Sequence, residues 1–359
     1  MNNAKTIADY CEKHLSSHPE FDKYVYDNLS FIFLLLEESV IDIRTRKRIQ
    51  VVLKLRQNQN IKTEEQIFEL QNSNIDFVGL KGYFLQCLYY PNEYTRLFGD
   101  VDVLINPKDG YKNYKKLKKI GYSLISHEGL YRKIIHSNFA ITILKGLYTR
   151  NNKHIRMKKD GFDLIELHTN INDNCTLTCC NRFPIEKMIL ESTVKCYKNI
   201  KFRIFQPEDY LIYLMVHAIQ HLSFVALHGN SLSINLQKFY DVAQIISIED
   251  IKWDLFKNKT IEYNAFSEVA LFTKIFNDIY NTIPQKIYEY IYNYASEKDF
   301  GWKIIFNEII NLPAEKLILG DYSSVPSIMK IYNEAKLSVA PEQKWKNFYK
   351  TTLKMETYI

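Results

Sequence analysis

Phe98-Gly99-Asp100-Val101-Asp102-Val103-Leu104-Ile105 alternates polar and apolar residues with the period of a β-strand. Asp100 and Asp102 stand at i and i+2, so both carboxylates project from one face of that strand. Two carboxylates on one face suit a hard divalent cation, and Mg²⁺ is commonly held by one or two carboxylates together with substrate phosphates. Cation-assisted nucleotidyl transfer is the first hypothesis the stretch raises. The plainer alternative is a pair of aspartates that ends a loop and solvates a strand edge.

Upstream, Ile75-Asp76-Phe77-Val78-Gly79-Leu80 reads as a short apolar strand, followed by Lys81-Gly82 and a helical stretch from Tyr83 to Tyr90. A strand, a glycine turn and a helix start present backbone N–H groups to an anion. Lys81 adds a mobile positive charge, and Gly82 lets the chain approach a phosphate closely. An ordinary strand-to-helix turn with a solvated lysine is the alternative, and no Walker loop is present. Arg96 precedes the acidic pair by four residues. It is placed either to clamp a phosphate or to pair with Asp100 or Asp102.

Downstream, Phe162-Asp163-Leu164-Ile165-Glu166-Leu167-His168 puts Leu164, Glu166 and His168 on one face of a strand, with Asp163, Ile165 and Leu167 on the other. A carboxylate among apolar neighbours is costly to bury unless it is paired or metal-bound. Glu166 is therefore the candidate third acidic group, as a general base or as the ligand of a second metal. Asp163 competes for that role, and a structural ion pair is the alternative for Glu166.

Lys81-Gly82, Arg96, Asp100-x-Asp102 and Ile165-Glu166-Leu167-His168, in this order, resemble the uncharacterised nucleotidyltransferase family of the polymerase-β-like superfamily. Pro207-Glu208-Asp209-Tyr210-Leu211, His217, His221 and the run from Lys238 to Asp241 resemble that family's helical pair. The resemblance spans roughly residues 30–250. It implies an α+β fold: a mixed sheet with flanking helices between helical N- and C-terminal regions. It also implies Mg²⁺ or Mn²⁺ held by Asp100, Asp102 and Glu166. A nucleoside triphosphate such as ATP would meet Lys81, Gly82, Arg96 and Lys238, and His168, His217, His221 and Asp241 would line the cleft. The acceptor stays open between a small-molecule hydroxyl, a protein or peptide side chain and a tRNA end. One departure is that Lys81-Gly82 replaces the Gly-Ser turn common in the superfamily. A catalytically inactive nucleotide- or partner-binding module on the same fold is the alternative function.

The 359 residues allow a large core and two or three subdomains. The expected division is a helical region over 1–70, an α/β core over 71–205 and a helical domain over 206–359. A net charge of +6 suits an anionic substrate but falls short of the dense basic stripe of a dedicated nucleic-acid binder. The six cysteines are too sparse for a disulfide scaffold, and Cys175, Cys179 and Cys180 lack a second pair to complete a zinc site, so reduced thiols are expected. Met1 to Asp22 is polar and Phe31 to Leu36 is too short to span a bilayer, which leads to the expectation of a cytoplasmic protein without membrane partners.

Local patterns add further expectations. Thr63-Glu64-Glu65-Gln66 reads as a capping box opening a helix. Asn106-Pro107 opens another, which bears the Lys112 to Lys119 cluster and closes at Gly121. Strands are expected near 122–126 and 139–144. The basic run from Thr149 to Gly161, with Arg150, Lys153, His154, Arg156, Lys158 and Lys159, reads as a surface loop.

Overall fold

The structure is a computed structural model that describes residues 3–17, 21, 42–90, 96, 98–124, 154–171, 182–228 and 235–298. The 139–144 strand, Cys175, Cys179, Cys180, Arg150 and Lys153 lie outside the described residues, as do 22–41 and 299–359.

Among the described residues the strands are β1 (Val78–Gly79), β2 (Asp100–Leu104), β3 (Ser123–Leu124), β4 (His154–Lys158), β5 (Leu164–His168), β6 (Thr193–Tyr197) and β7 (Ile200–Ile204). They form one mixed sheet in the order β3-β4-β5-β2-β1-β7-β6. β2 and β5 run parallel, as do β1 and β7, and the other neighbours are antiparallel. The helices are α1 (Asn3–His14), α2 (Ile43–Asn72), α3 (Tyr83–Tyr89), α4 (Gly110–Lys119), α5 (Ile185–Glu191), α6 (Pro207–His228), α7 (Leu236–Ile248), α8 (Trp253–Glu262), α9 (Phe266–Ile279) and α10 (Gln285–Lys298). This is the α+β architecture expected from the sequence: a mixed sheet with helices before and after it. Among the described residues no helix is long and apolar enough to cross a membrane.

The helical half is built on α6, which packs against α7, α8 and α9. Its first turn carries Glu208 and Asp209, and both serve α8. Glu208 accepts from the Lys252 backbone N–H, and the fully buried Asp209 accepts from Lys259 Nζ on both oxygens at 2.8 Å and from the Tyr263 hydroxyl at 2.8 Å. The Pro-Glu-Asp turn of the sequence thus fixes one helix onto another. Phe239, Phe272 and Phe276 stack between α7 and α9, each ring worth about 1.5–3 kcal/mol on burial. α1 closes on the same helices: Asn3 Nδ2 donates to Ala243 O, Gln244 Oε1 and Ser247 Oγ at 2.7–3.0 Å.

Two local expectations are corrected. Thr63 does not open a helix, because α2 is continuous from Ile43 and is capped by Asp42, whose Oδ1 accepts from the N–H groups of Arg44 and Thr45. Thr63 is instead buried and donates to Asp163 Oδ2 at 3.0 Å, while Gln66 bonds both backbone groups of Asp163. The capping signature rests on four residues, but the helix around them has already started at Ile43. Thr63→Val should cost about 1–3 kcal/mol by leaving Asp163 underbonded. A shift of the urea midpoint measures it, and an unchanged midpoint would mean that this link adds nothing.

The second correction concerns the basic run. Residues 154–158 form β4, an interior strand paired with β3 and β5. His154-Ile155-Arg156-Met157-Lys158 alternates, with Met157 fully buried against the core. The density of positive charge masked a period-two pattern. Asn106 and Pro107 do open a turn as expected, but it is 3-10 in form before α4 begins at Gly110.

Candidate active site

The register of the sheet assembles the site. Parallel pairing sets Asp100 beside Leu164, Asp102 beside Glu166 and Leu104 beside His168. Partners in adjacent strands project to the same face, so Asp100, Asp102, Glu166 and His168 share one. Antiparallel pairing adds Arg156 beside Glu166. On the other side, the Leu80 N–H donates to Asp102 O, which brings Lys81 next to the acidic pair.

Asp102 is 1% exposed and Glu166 4%. Asp102 Oδ1 lies 2.9 Å from His168 Nε2 and 3.2 Å from Lys81 Nζ. Among the described residues its other oxygen, Oδ2, is buried and receives no N–H or hydroxyl hydrogen bond, the neighbouring Asp100 carboxyl aside. Glu166 Oε1 accepts from Arg156 Nε at 2.5 Å, and Oε2 lies 3.7 Å from His168 Nε2. One donor atom from each of Asp102, Glu166 and His168 falls within 4.8 Å of the others. A buried carboxylate oxygen without a donor is costly, and a divalent cation is the partner that such a cluster of hard oxygens suits.

The electrostatics carry the same message. Burial pushes the Asp100 carboxyl up to about 7, reinforced by the charges of Asp102 and Glu166 and opposed by Lys81. Burial also raises Asp102, but Lys81 and His168 outweigh it and hold that carboxyl below the usual range. Lys81 is held above the ordinary lysine range: burial would lower it, but Asp102 and Asp100 more than compensate. Asp102 and Lys81 therefore stand as an ion pair beside an Asp100 carboxyl that ionises less readily.

Gly82 shapes the turn that delivers Lys81. Its φ of +61° and ψ of −121° lie where L-residues are strained, and a Cβ there would stand 3.3 Å from Phe98 Cβ and 3.4 Å from Asp100 O. Gly82→Ala should cost about 1–3 kcal/mol and shift Lys81 away from Asp102. Thermal unfolding beside an activity assay checks this, and an unaltered melting temperature would count against the turn geometry. The next helix, α3, spans only seven residues, so Lys81 is the main positive feature here.

α6 covers the face. Its His217 places Nε2 3.4 Å from Lys81 Nζ and stacks on Tyr213 with ring centroids 5.9 Å apart. Burial raises the Tyr213 phenol, against the pull of Lys81. His221 comes one turn later on α6, and its side chain lies outside the described residues. On α7, Lys238 is half-buried, and its ammonium is pushed down to about 7 by burial, Lys81 and Arg96, against Asp241.

Arg96 pairs with Asp241 on α7. Its Nε and Nη2 donate to the two oxygens of Asp241 at 2.8 Å each, and the Tyr90 hydroxyl donates to Asp241 Oδ1 at 2.7 Å. Asp163 points to α2 through Thr63 and Gln66 and stands apart from the acidic cluster. Arg156 and Tyr213 are the site neighbours that the sequence reading did not single out. Alternation through β4 signals the first, and the i+4 step before His217 signals the second.

A family model described as "Uncharacterised nucleotidyltransferase" matches residues 22–281. Among solved structures, the lincosamide antibiotic adenylyltransferase LnuA in its lincomycin-bound crystal form is similar at 14% identity and a TM-score of 0.31, over 52% of this chain and 96% of that one. No curated protein matches the chain.

Proposed function

The chain belongs to the family of uncharacterised nucleotidyltransferases, and from that membership we propose that it moves a nucleoside monophosphate from a nucleoside triphosphate to an acceptor hydroxyl with the help of a divalent cation. The observation that carries the reading is the gathering of Asp102, Glu166 and His168, all buried, with one donor atom of each within 4.8 Å of the others. Asp100, Asp102 and Glu166 would hold the ion, Mg²⁺ or Mn²⁺. When bound, it supplies charge neutralisation on the phosphate oxygens.

The protein's own part is positioning and charge. Lys81 and the Gly82 turn would hold phosphate oxygens from the β1 side, and Lys238 would approach them from α7. His217 would keep the Lys81 ammonium in place through its ring nitrogen. Glu166 would orient the acceptor hydroxyl and take its proton as the oxygen attacks the α-phosphorus and pyrophosphate departs. Arg96 would act at a distance, by fixing Asp241 and with it the helix that carries Lys238. His168, His221 and Asp241 complete the proposed cleft lining. A triphosphate substrate favours a cytoplasmic site of action, and the modest net charge favours a small-molecule or protein hydroxyl over long nucleic acid.

The test is incubation of the purified protein with each α-³²P-labelled nucleoside triphosphate, Mg²⁺ and a cell extract. Label passing to a small molecule, a protein or a tRNA is expected, and it names the nucleotide and the acceptor class together. Triphosphate binding without label transfer to any fraction would overturn the proposal in favour of the binding module.

A further inference from the structure

Lys238 stands in the first turn of α7, half-buried, where the positive end of the helix dipole already disfavours an added positive charge. Three charges act on its side chain: Lys81 from the turn after β1, Arg96 from the chain between α3 and β2, and Asp241 three residues further along α7. The carboxylates around these cations are already matched. Arg96 takes both oxygens of Asp241 at 2.8 Å, and Tyr90, next to α3, donates to the same carboxylate. Lys81 pairs with Asp102 at 3.2 Å, with His217 of α6 on its other side. The remaining neighbours of α7 meet it elsewhere. α1 bonds its far end, from Ala243 to Ser247, and α9 packs on Phe239 through the rings of Phe272 and Phe276. Among the described residues Lys238 thus has no carboxylate of its own, only a share in the field of Asp241. A charge on this side chain gains most when an anion arrives beside it.

We propose that Lys238 makes the triphosphate site sensitive to pH: its amine takes up a proton from solvent as phosphate oxygens bind beside Lys81, so nucleotide affinity is high in acid and lost in alkali. This rests on the proposed function, in which the triphosphate lies against Lys81. Burial, Lys81 and Arg96 push the Lys238 ammonium down to about 7, against Asp241. Below that pH the charge is present before the anion arrives, and binding needs no proton. Above it each binding event must draw one, so affinity falls as pH rises. A lysine with the ordinary value of about 10.4 would show no such loss near neutrality.

Inorganic tripolyphosphate with Mg²⁺ is the probe, because it carries the phosphates without a base or a transferable nucleotide. Calorimetric titration of the full chain in buffers of different ionisation enthalpy counts the protons taken up. At about pH 7 wild type should take up about half a proton more than Lys238→Arg, which stays charged throughout. From about pH 6 to about pH 8.5 the wild-type Kd should rise at least about tenfold more than that of Lys238→Arg. Asp100, also raised to about 7, and the protons of the probe act in both proteins and cancel in the difference. Lys238→Met gives the same reading if the arginine variant does not fold: weaker binding than wild type in acid, converging with it as pH rises. Equal proton uptake by wild type and Lys238→Arg overturns the proposal, as does a Kd ratio that does not move with pH, or a wild type that does not bind tripolyphosphate. Label transfer by wild type beside any of these failures leaves the functional reading standing without this one. Proton-linked binding without label transfer does the reverse.

Discussion

Asp102→Asn should lower nucleotidyl transfer by at least about 10²–10³-fold, the loss that accompanies removal of a single group stabilising charge in the transition state. Asparagine nearly matches the shape of aspartate, so packing against β1 and β5 changes little. What disappears is the charge that meets Lys81 and His168 and the buried second oxygen. The cost to the fold is small for two reasons. Lys81 is 19% exposed and retains His217 within 3.4 Å, so it is not stranded. Loss of one carboxylate also relieves the crowding with Glu166 that helps push Asp100 up to about 7. The check is a pair of measurements on one preparation: initial rates of label transfer at saturating cation, and the thermal unfolding midpoint. A variant as active as wild type would remove Asp102 from the chemistry. A variant that is inactive because it has unfolded would show a collapsed midpoint instead.

The parts of the architecture legible in the sequence are those set by short-range period. Asp100-x-Asp102 and Glu166-x-His168 read as strands because the alternation of side chains is itself the signal. The pairing of those strands is not local. Nothing in either segment says that β2 and β5 run parallel with Asp102 level with Glu166, and that register is what gathers the charges. Arg156 was hidden because a run of basic residues looks like a loop until Ile155 and Met157 are seen to alternate with it. Thr63 failed for the opposite reason: its local pattern was good, but the helix around it had started at Ile43. Arg96 illustrates the hardest case. Its proximity in sequence to Asp100 suggested a partner four residues away, whereas the structure pairs it with a carboxylate 145 residues on. Long-range ion pairs arise from helix packing, and sequence spacing carries no record of them.

That pair supports the largest stability effect expected of a single substitution. Arg96 and Asp241 are 7% and 1% exposed, joined by two parallel hydrogen bonds, with Tyr90 donating to the same carboxylate. Replacing such a pair as a whole by apolar groups is often tolerated, but removing one partner strands the other. Asp241→Asn should therefore cost about 3–5 kcal/mol. The guanidinium is the worse group to strand, because it cannot lose its proton. A carboxylate left alone can neutralise itself by taking one up. Arg96→Met should accordingly be the milder single variant, and Arg96→Met with Asp241→Leu milder than the sum of the two. Asp241→Asn also removes the charge that favours the ammonium of Lys238, already pushed down to about 7, so triphosphate affinity should fall along with stability. Denaturant midpoints for the two single variants and the double give the coupling directly. If Asp241→Asn unfolded within about 1 kcal/mol of wild type, below the range for a broken buried pair, Arg96 and Asp241 would not be joined in solution. The proposed anchoring of the Lys238 helix would then have no physical basis.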